Sequence, residues 1–367
     1  MFKHLDYRRI KEVSGTTVKI SNNARRYNAF PKVIRTADTS SNPRGTLLAT
    51  WYSGNAHVDT NSDGQIWGAF SANEGATWSD PFLIHDDPAL DCRNIGIAHA
   101  PDGCLIMFLA KLVVERHRWI NQDFGVIRSN DHGHAWGNFT SLISGASSIV
   151  AGAANGNGYG DPVVIDGTIY MACYGNPVPP SPVQYIAFVL ASSDSGRTWR
   201  HVSTINALAT INANEADFCI APGATGDVLF GFTRTGRPER DFLYYFESTD
   251  RGRSWSPLVP TNAWGQSPDI QQLADGRYIV AYRARSRRGN YFVGYFLLDG
   301  GFPRLPDKAG VIKGLEQRCL VKTTFGQPGR DLAYPSLALL DGGKLLVVYY
   351  DIGAGGVFGK IVDEAIL

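Results

Sequence analysis

One eight-residue motif recurs four times along the chain, and its spacing restricts the fold more than any other feature of the sequence. The copies share the pattern Ser-x-Asp/Asn-x-Gly-x-x-Trp and read SANEGATW, SNDHGHAW, SSDSGRTW and STDRGRSW. The tryptophans that end them recur at intervals of 58, 63 and 56 residues, as Trp78, Trp136, Trp199 and Trp255. Self-similarity at such a period indicates a repeat architecture in which each unit buries its apolar face against the next.

Each motif stands in the same series of short apolar runs and turns. In the third repeat the series is DPVVIDGTIYMACYG, a proline-rich loop and QYIAFVLASSD. β-Branched and aromatic runs that are broken by Gly and Asp turns are typical of antiparallel strands. Within the motif, a short acidic side chain accepts hydrogen bonds from turn amides, and glycine takes a conformation that other residues resist. We therefore interpret Asp131, Asp194 and Asp250 as hairpin residues and not as catalytic ones.

The hairpin units number six. They start near Phe30, Asn94, Asp161, Glu215, Ser267 and Tyr334. Six repeats of about 61 residues suit radial repetition around a channel, which spares a sheet protein long exposed edges. The sequence thus predicts an all-β, six-bladed β-propeller with four-stranded antiparallel blades, formed by residues 1–367 as one domain. The segment VKISNN near residue 20 is left over, and we expect this amino-terminal strand to complete the last blade.

Composition excludes several classes of partner. Lys plus Arg number 35 and Asp plus Glu number 34, so the net charge does not favour nucleic acid or an acidic membrane. No run approaches the roughly 18 apolar residues of a membrane span, and the charged start lacks the apolar stretch of a secretory signal. We expect a protein without nucleic-acid or membrane partners, cytoplasmic or released without a conventional signal peptide. Five cysteines without a Cys-x-x-Cys pair predict free thiols, and no motif predicts a metal or another cofactor.

The four motifs resemble the Asp-boxes, or BNR repeats, of the sialidase (neuraminidase) superfamily, and the resemblance covers the chain from Tyr27 onward. It implies a six-bladed propeller with Asp-box hairpins and a sugar-binding site at one mouth of the channel. Asp-boxes also occur in non-catalytic propellers and in other glycan-degrading families. The resemblance therefore implies the fold more directly than it implies the function.

In sialidases a nucleophilic tyrosine opens the first strand of the last blade, and the segment AYPSLALLDGG has Tyr334 at that position. A neutral phenol approaches an anomeric carbon bearing a carboxylate more easily than an anion does, and sialidases are the tyrosine exception among glycosidases. Because a phenol has a pKa of about 10, a base must take its proton. The family uses a glutamate that opens the fourth blade, which corresponds to Glu215. The alternative is that Tyr334 packs between blades and Glu215 binds water.

The family's acid/base aspartate lies in a loop between the second and third strands of the first blade. Here that loop is SGNAHVDTNSDGQIW, which offers Asp59 and Asp63. Asp63 precedes a glycine and suits a turn, so we favour Asp59, with His57 beside it. A loop that closes over bound sugar would raise the carboxyl pKa by desolvation and so allow proton donation near neutral pH.

Sialidases also hold the substrate carboxylate with three arginines, whose planar forks make paired charged hydrogen bonds. The resemblance places one of them at Arg234, at the end of the second strand of blade four. The corresponding loop of blade five reads RARSRRGN, and spacing favours Arg288, with Arg287 next, over Arg283 and Arg285. The alternative is that this arginine cluster is solvated.

The first arginine is where the chain departs from the family. Sialidases have Phe/Tyr-Arg-Ile-Pro at the opening of blade one, whereas this chain reads YNAFPKVIR, with Ala29 at the arginine position. Arg25, Arg26 or Arg93 is a candidate replacement from a neighbouring segment. Other residues that open inner strands complete the predicted mouth, namely Asn94, Tyr159, Asp161, Asp269 and Asp331.

The sequence thus predicts a glycoside hydrolase of sialidase type that releases a terminal acidic sugar, with retention, through a tyrosyl-enzyme intermediate. One alternative is a related propeller that acts on a different glycan, as a hydrolase or as a polysaccharide lyase. The other is a propeller that binds glycans without catalysis. All three share a glycan as the partner.

Overall fold

A computed structural model describes residues 9–21, 27–36, 45–57, 63–115, 118–142, 156–177, 185–206, 211–223, 226–235, 242–285, 291–300, 306–308, 310–324 and 332–367. Within these ranges, twenty-four strands form five antiparallel sheets, and the last residues form a single 3-10 turn at Glu364–Ile366. None of the helical structure there has the length and apolar character needed to cross a membrane. The prediction of an all-β fold is confirmed.

Three sheets contain the first half of the chain, each with its strands in sequence order. The first consists of β2 (Tyr27–Arg35), β3 (Leu47–Gly54), β4 (Gln65–Ser71) and β5 (Phe82–His85). The second consists of β6 (Asp91–His99), β7 (Leu105–Glu115), β8 (Arg118–Ser129) and β9 (Thr140–Ser141). The third consists of β10 (Gly156–Gly158), β11 (Val163–Ile165), β12 (Thr168–Gly175), β13 (Ile186–Ser192) and β14 (Arg200–Thr204), with β10 and β11 both paired to β12.

The second half of the chain forms a seven-stranded sheet and a final four-stranded one. The seven strands are β15 (Ala213–Ala221), β16 (Val228–Thr235), β17 (Phe242–Ser248), β18 (Val259–Gln272), β19 (Tyr278–Arg285), β20 (Tyr291–Leu298) and β21 (Arg318–Lys322). The final sheet has the order β22 (Ala333–Leu340), β23 (Lys344–Asp351), β24 (Gly356–Asp363) and β1 (Thr16–Lys19). The 14 residues of β18 pair with β17 at one end and with β19 at the other. Six separate four-stranded blades are therefore seen only in part.

We divide the strands into six strand sets, which are β2–β5, β6–β9, β10–β14, β15–β18, β18–β21 and β22–β24 with β1. Each Asp-box forms the turn between the last two strands of its set. In the third copy Ser192 Oγ donates to Asp194 Oδ1 at 2.7 Å, and the same oxygen accepts from the Thr198 amide at 2.8 Å. Burial raises the pKa of Asp194, but hydrogen bonds from the hydroxyl and amide of Thr198 lower it to about 2. The carboxylate thus holds the turn together, as a structural Asp-box residue does.

The Asp-box tryptophans follow their turns with one difference. In the first three copies the indole donates to the glycine carbonyl of its own motif, as Trp199 does to Gly196 at 3.1 Å. Trp255 instead donates to Ser203 Oγ at 2.8 Å, and Ser203 donates to the carbonyl of Gly252. A serine hydroxyl of the preceding set thus replaces the direct contact in the fourth copy.

Replacing Asp194 by alanine is expected to lower the free energy of unfolding by about 1–3 kcal/mol, because the turn amides and two hydroxyls lose their charged acceptor. Denaturant unfolding measures the loss. The control is Glu316→Ala, which removes a largely exposed ion pair with Arg318 and is expected to cost less than about 1 kcal/mol. Equal effects of the two substitutions would contradict the structural role of the Asp-box.

In five of the six strand sets, the first strand contains a β-bulge. The register shifts lie between Ala29 and Lys32, Asn94 and Gly96, Ala213 and Ala216, Gln266 and Asp269, and Ala333 and Ser336. Four residues in these bulges have a positive φ although they are not glycine, namely Phe30, Ser267, Ala333 and Tyr334. A bulge re-aims side chains, and a non-glycine residue with positive φ is costly and concentrated at functional sites. These bulges are therefore where a site is expected.

Hydrogen bonds near the bulges connect the strand sets in succession. In five of them a backbone amide donates to a side-chain oxygen at 2.8–3.4 Å. The pairs, donor first, are Ile97 and Asp161, Asp161 and Asp217, Ile270 and Asp217, Leu337 and Asp269, and Val33 and Ser336. His99 Nε2 lies 2.8 Å from the carbonyl of Arg35 and connects the second set to the first. Each set is thus bonded to the next, and the sixth is bonded to the first.

Candidate functional site

Tyr334 and Glu215 are in direct contact although 119 residues separate them in sequence. The phenol Oη of Tyr334 donates to Glu215 Oε1 at 3.0 Å. Tyr334 lies in the bulge of β22 with a φ of 44°, and Glu215 lies in the bulge of β15. A carboxylate within hydrogen-bond reach of a phenol has the geometry that a general base requires.

The carboxylate of Glu215 accepts two further hydrogen bonds. Arg234 Nη1 lies 2.9 Å from Oε1, and Ser267 Oγ donates to Oε2 at 2.7 Å. The Glu215 side chain is only 10% exposed, so these donors replace the water that a carboxylate would otherwise bind. The sequence-predicted tyrosine, glutamate and blade-four arginine are thus neighbours in the structure.

Arg283 is a further cation beside Tyr334. Its guanidinium lies 5.5 Å from the centroid of the Tyr334 ring and 4.0 Å from that of Tyr291. Its Nη1 donates to Gln266 Oε1 at 2.9 Å, and the residue is buried. Spacing favoured other members of the blade-five cluster. Arg287 and Arg288 lie outside the described residues, as does the side chain of Arg285.

An aromatic wall occupies the place where the family has its first arginine. Ala29 is fully buried, and the next residue, Phe30, has a φ of 53°. The Phe30 ring lies edge-on to Tyr334 with centroids 5.2 Å apart, and the Tyr350 ring lies 5.9 Å from that of Tyr334. Tyr334 therefore has aromatic neighbours where the resemblance predicts a positive charge.

Arg93 contacts this aromatic wall at Phe30. Its guanidinium stacks over Phe30 at 5.5 Å and over Tyr52 at 4.8 Å. Its Nη2 lies 3.3 Å from Asp91 Oδ2 and donates to the carbonyl of His57 at 2.5 Å. Burial lowers the pKa of Arg93, but Asp91 and nearby phenols raise it above its ordinary value, so the group is a cation. Asp91 balances that charge.

The predicted acid/base loop joins β3 to β4. Asp59 lies outside the described residues, as does Arg26. Asp63 accepts from the backbone amide of Asn55 at 3.3 Å and from the side-chain amide of the same residue, which closes the base of the loop. His57 Nδ1 lies 3.1 Å from Tyr27 Oη. Asp63 thus bonds to Asn55 on the opposite side of the loop.

A cluster of charged side chains contacts the Tyr159 ring, which in turn contacts Tyr334. Lys32 Nζ lies 3.4 Å from Asp269 Oδ1 and 3.5 Å from Asp161 Oδ1, with Asp217 nearby. Tyr159 contacts both Lys32, at 5.3 Å, and the Tyr334 ring, at 6.5 Å between centroids. Asp161 and Asp269, predicted as mouth residues, therefore contact this lysine.

Burial and mutual repulsion set the charges of this cluster. Burial lowers the pKa of Lys32, but Asp161, Asp269 and Asp217 together raise it above its ordinary value. Burial raises the pKa of Asp269 to about 7, against the opposing effect of Lys32. Burial and Asp269 also raise the pKa of Asp217. Asp269 and Asp217 thus keep their protons to a higher pH than exposed carboxyl groups do, which limits the negative charge around the single lysine.

Sequence reasoning did not assign functional roles to Ser267, Phe30, Lys32 or Asp217. Ser267 and Phe30 marked the starts of repeat units, and a residue that opens an inner strand was the available signal for both. Lys32 interrupts an apolar strand, which is a signal for a buried charge that requires partners. Among the described residues, no group of three or more His, Cys, Asp or Glu could hold a metal ion.

Comparisons with known proteins agree with this fold. A family model described as the BNR repeat-like domain matches residues 45–347. A Dyadobacter fermentans protein of unknown function has a TM-score of 0.78 at 19% identity, covering 96% of this chain and 99% of its own.

Two sialidase structures are also similar. The Hadza microbial sialidase Hz136 has a TM-score of 0.69 at 15% identity, over 96% of this chain and 69% of its own. The NanB sialidase from Streptococcus pneumoniae has a TM-score of 0.62 at 13% identity, over 98% of this chain and 71% of its own. No curated protein sequence matches. The structural likeness shows a fold shared with sialidases, and the family match shows that the chain belongs to the BNR repeat-like domain family.

Proposed function

We propose that the protein is a glycoside hydrolase of sialidase type that releases a terminal acidic sugar, with retention, through a tyrosyl-enzyme intermediate. The observation that carries the proposal is the contact of Tyr334 with Glu215 at 3.0 Å, with Arg234 on the same carboxylate oxygen. A nucleophilic phenol requires a proton acceptor within reach, because its proton must leave as the new bond forms.

The proposed architecture is a six-bladed propeller with the glycan at one mouth of its channel. It is supported by the six strand sets and by the hydrogen bonds that connect each set to the next and the sixth to the first. In this arrangement β18 belongs to two neighbouring blades, which accounts for a seven-stranded sheet. The bulges of the inner strands then face one another across the mouth.

In the first half-reaction the Tyr334 oxygen bonds to the anomeric carbon while the bond from that carbon to the leaving oxygen breaks. Glu215 Oε1 accepts the phenol proton, and Asp59 donates a proton to the leaving oxygen. In the second half-reaction the Asp59 carboxylate takes a proton from water, and the resulting hydroxide bonds to the anomeric carbon. The tyrosine oxygen leaves and regains its proton from Glu215. Two inversions give net retention.

The substrate carboxylate is proposed to bind to Arg234 and to Arg288 or Arg287 from the loop after β19, with Arg283 beside them. Arg93 and Arg26 are the candidates on the side of the first set, and Asp63, Asp161 and Asp269 border the mouth. Planar guanidinium groups suit a carboxylate because each can make two parallel hydrogen bonds with it.

A second candidate is a related propeller enzyme that acts on a different glycan. The observation that favours it is the aromatic wall, because Ala29 and Phe30 replace the positive charge that a sialoside carboxylate would meet in the family. An aromatic face suits the apolar face of a sugar ring rather than a carboxylate. Tyr334 and Glu215 remain the reacting pair in this alternative if it is a hydrolase.

The substrate test compares wild-type turnover of an aryl sialoside with a panel of other aryl glycosides and uronate polymers. The leading proposal predicts that the aryl sialoside is hydrolysed faster than every neutral glycoside. Hydrolysis confined to another sugar supports the second candidate. Binding of a glycan without turnover of any compound identifies a non-catalytic glycan-binding protein and overturns both enzyme proposals.

A further inference from the structure

One bulge in β18 contacts two charged neighbours of Tyr334, namely Glu215 and Arg283. Ser267 Oγ donates to Glu215 Oε2 at 2.7 Å, and the preceding residue, Gln266, accepts from Arg283 Nη1 at 2.9 Å. Both β18 residues are almost completely buried, with relative exposures of 0% and 2%. The proton acceptor of the phenol and the guanidinium over its ring therefore depend on two adjacent side chains.

The backbone of this bulge is strained at Ser267. Ser267 has a φ of 54°, a left-handed conformation that serine seldom adopts. Glycine would adopt it without strain, yet glycine has no hydroxyl to donate to Glu215. Strained residues are concentrated at functional sites, and strained Ser267 bonds to Glu215, the proposed proton acceptor.

Building on the proposed function, we propose that the Gln266–Ser267 bulge is the positioning element of the site, orienting Glu215 through Ser267 and Arg283 through Gln266. The Ser267 hydroxyl occupies Oε2 and so keeps Oε1 turned toward the phenol. Gln266 keeps the Arg283 guanidinium over the ring, where it can meet an acidic substrate.

Ser267→Gly tests the first contact because it removes the hydroxyl and relieves the backbone strain at once. We expect thermal stability close to the wild-type value and kcat reduced about 10- to 100-fold. Ser267→Ala removes the same hydroxyl without the freedom of glycine and is expected to share the kinetic effect.

The matched control is Ser336→Ala, which removes another fully buried bulge serine, one that accepts from the Val33 amide. This substitution is expected to lower stability and to leave kcat at the wild-type value. Wild-type kcat in both Ser267 variants would overturn the proposal.

Gln266→Met tests the second contact because methionine has no oxygen to accept the hydrogen bond from Arg283 Nη1. We expect KM for the acidic substrate to rise about 10-fold while kcat changes little. Gln266→Glu, which retains an acceptor oxygen, is expected to restore the position of Arg283 in a crystal structure. Unchanged KM in Gln266→Met would show that Gln266 only packs.

A readout that needs no substrate separates this proposal from the proposed function. The infrared carboxylate band of Glu215 is isolated as the difference between each protein and its Glu215→Gln variant. The band is expected to shift in Ser267→Gly and not in Ser336→Ala. A shifted band in a protein that hydrolyses no glycoside would retain the positioning role and reject the hydrolase, whereas an unshifted band rejects the positioning role whatever the activity.

Discussion

Tyr334→Phe is expected to reduce turnover of the best substrate by several orders of magnitude while the protein stays folded. The substitution removes the nucleophilic oxygen and keeps the ring that packs against Phe30 and Tyr350. Losing covalent catalysis forfeits several kcal/mol of barrier lowering, at about 1.4 kcal/mol for each factor of ten. Steady-state kinetics and the affinity for a non-hydrolysed acidic sugar measure the two effects, and binding should change far less than turnover.

Tyr278→Phe is the matched control for Tyr334→Phe. Tyr278 is buried in the core of the seven-stranded sheet, and its phenol donates to the carbonyl of Ile220 at 2.9 Å. We expect a loss of stability of about 1 kcal/mol and wild-type turnover. Near-wild-type turnover by Tyr334→Phe itself would rule out tyrosyl catalysis.

Lys32→Met is expected to destabilise the protein strongly, and more at high pH than at low pH. The unfolded chain releases the Asp269 proton at about pH 3.9, whereas the folded protein retains it to about pH 7. Because the folded state binds more protons in this window, stability falls as pH rises through it. Without Lys32 the three carboxylates lose their cation, and their repulsion increases as they ionise. We expect a small loss near pH 5 and a loss of about 3–5 kcal/mol near pH 8.

Denaturant unfolding of the two proteins at several pH values measures this difference. Adding Asp269→Asn to Lys32→Met removes one buried charge and should recover much of the loss at high pH. Lys360→Met is the control, since Lys360 is buried but its carboxylate partner, Glu12, is 34% exposed and remains hydrated. A loss in Lys32→Met that is the same at every pH would contradict the charge balance described for the cluster.

The periodic features of the sequence predicted the all-β fold because each repeat carries its own turn chemistry. Asp194 and the residues around it encode a hairpin locally, without help from distant segments. Sharing of β18 between two strand sets was not predictable in this way. Whether a strand continues into the next sheet depends on neighbours that contact it, and the residues of Val259–Gln272 carry no signal for that choice.

Parts of the candidate site were also predictable, because the resemblance assigned Tyr334 to the opening of the last repeat unit and Glu215 to the opening of the fourth. The lysine cluster was not, since the partner Asp269 is 237 residues from Lys32 and no local pattern pairs them. The role of Ser267 depends on a bulge whose positive φ the sequence does not reveal, because serine is not a residue expected there. Contacts that bulge residues make between distant strand sets become visible only in the three-dimensional structure.

The most direct test of tyrosyl catalysis is to trap the intermediate with an activated acidic sugar that carries fluorine next to the anomeric carbon. Fluorine disfavours the positively charged transition state and slows hydrolysis of the glycosyl-enzyme, so the adduct accumulates. Peptide mass spectrometry should find the sugar on Tyr334, and the Tyr334→Phe protein should show no adduct. Turnover of the parent substrate with no adduct, or with the sugar attached to a different residue, would contradict the mechanism.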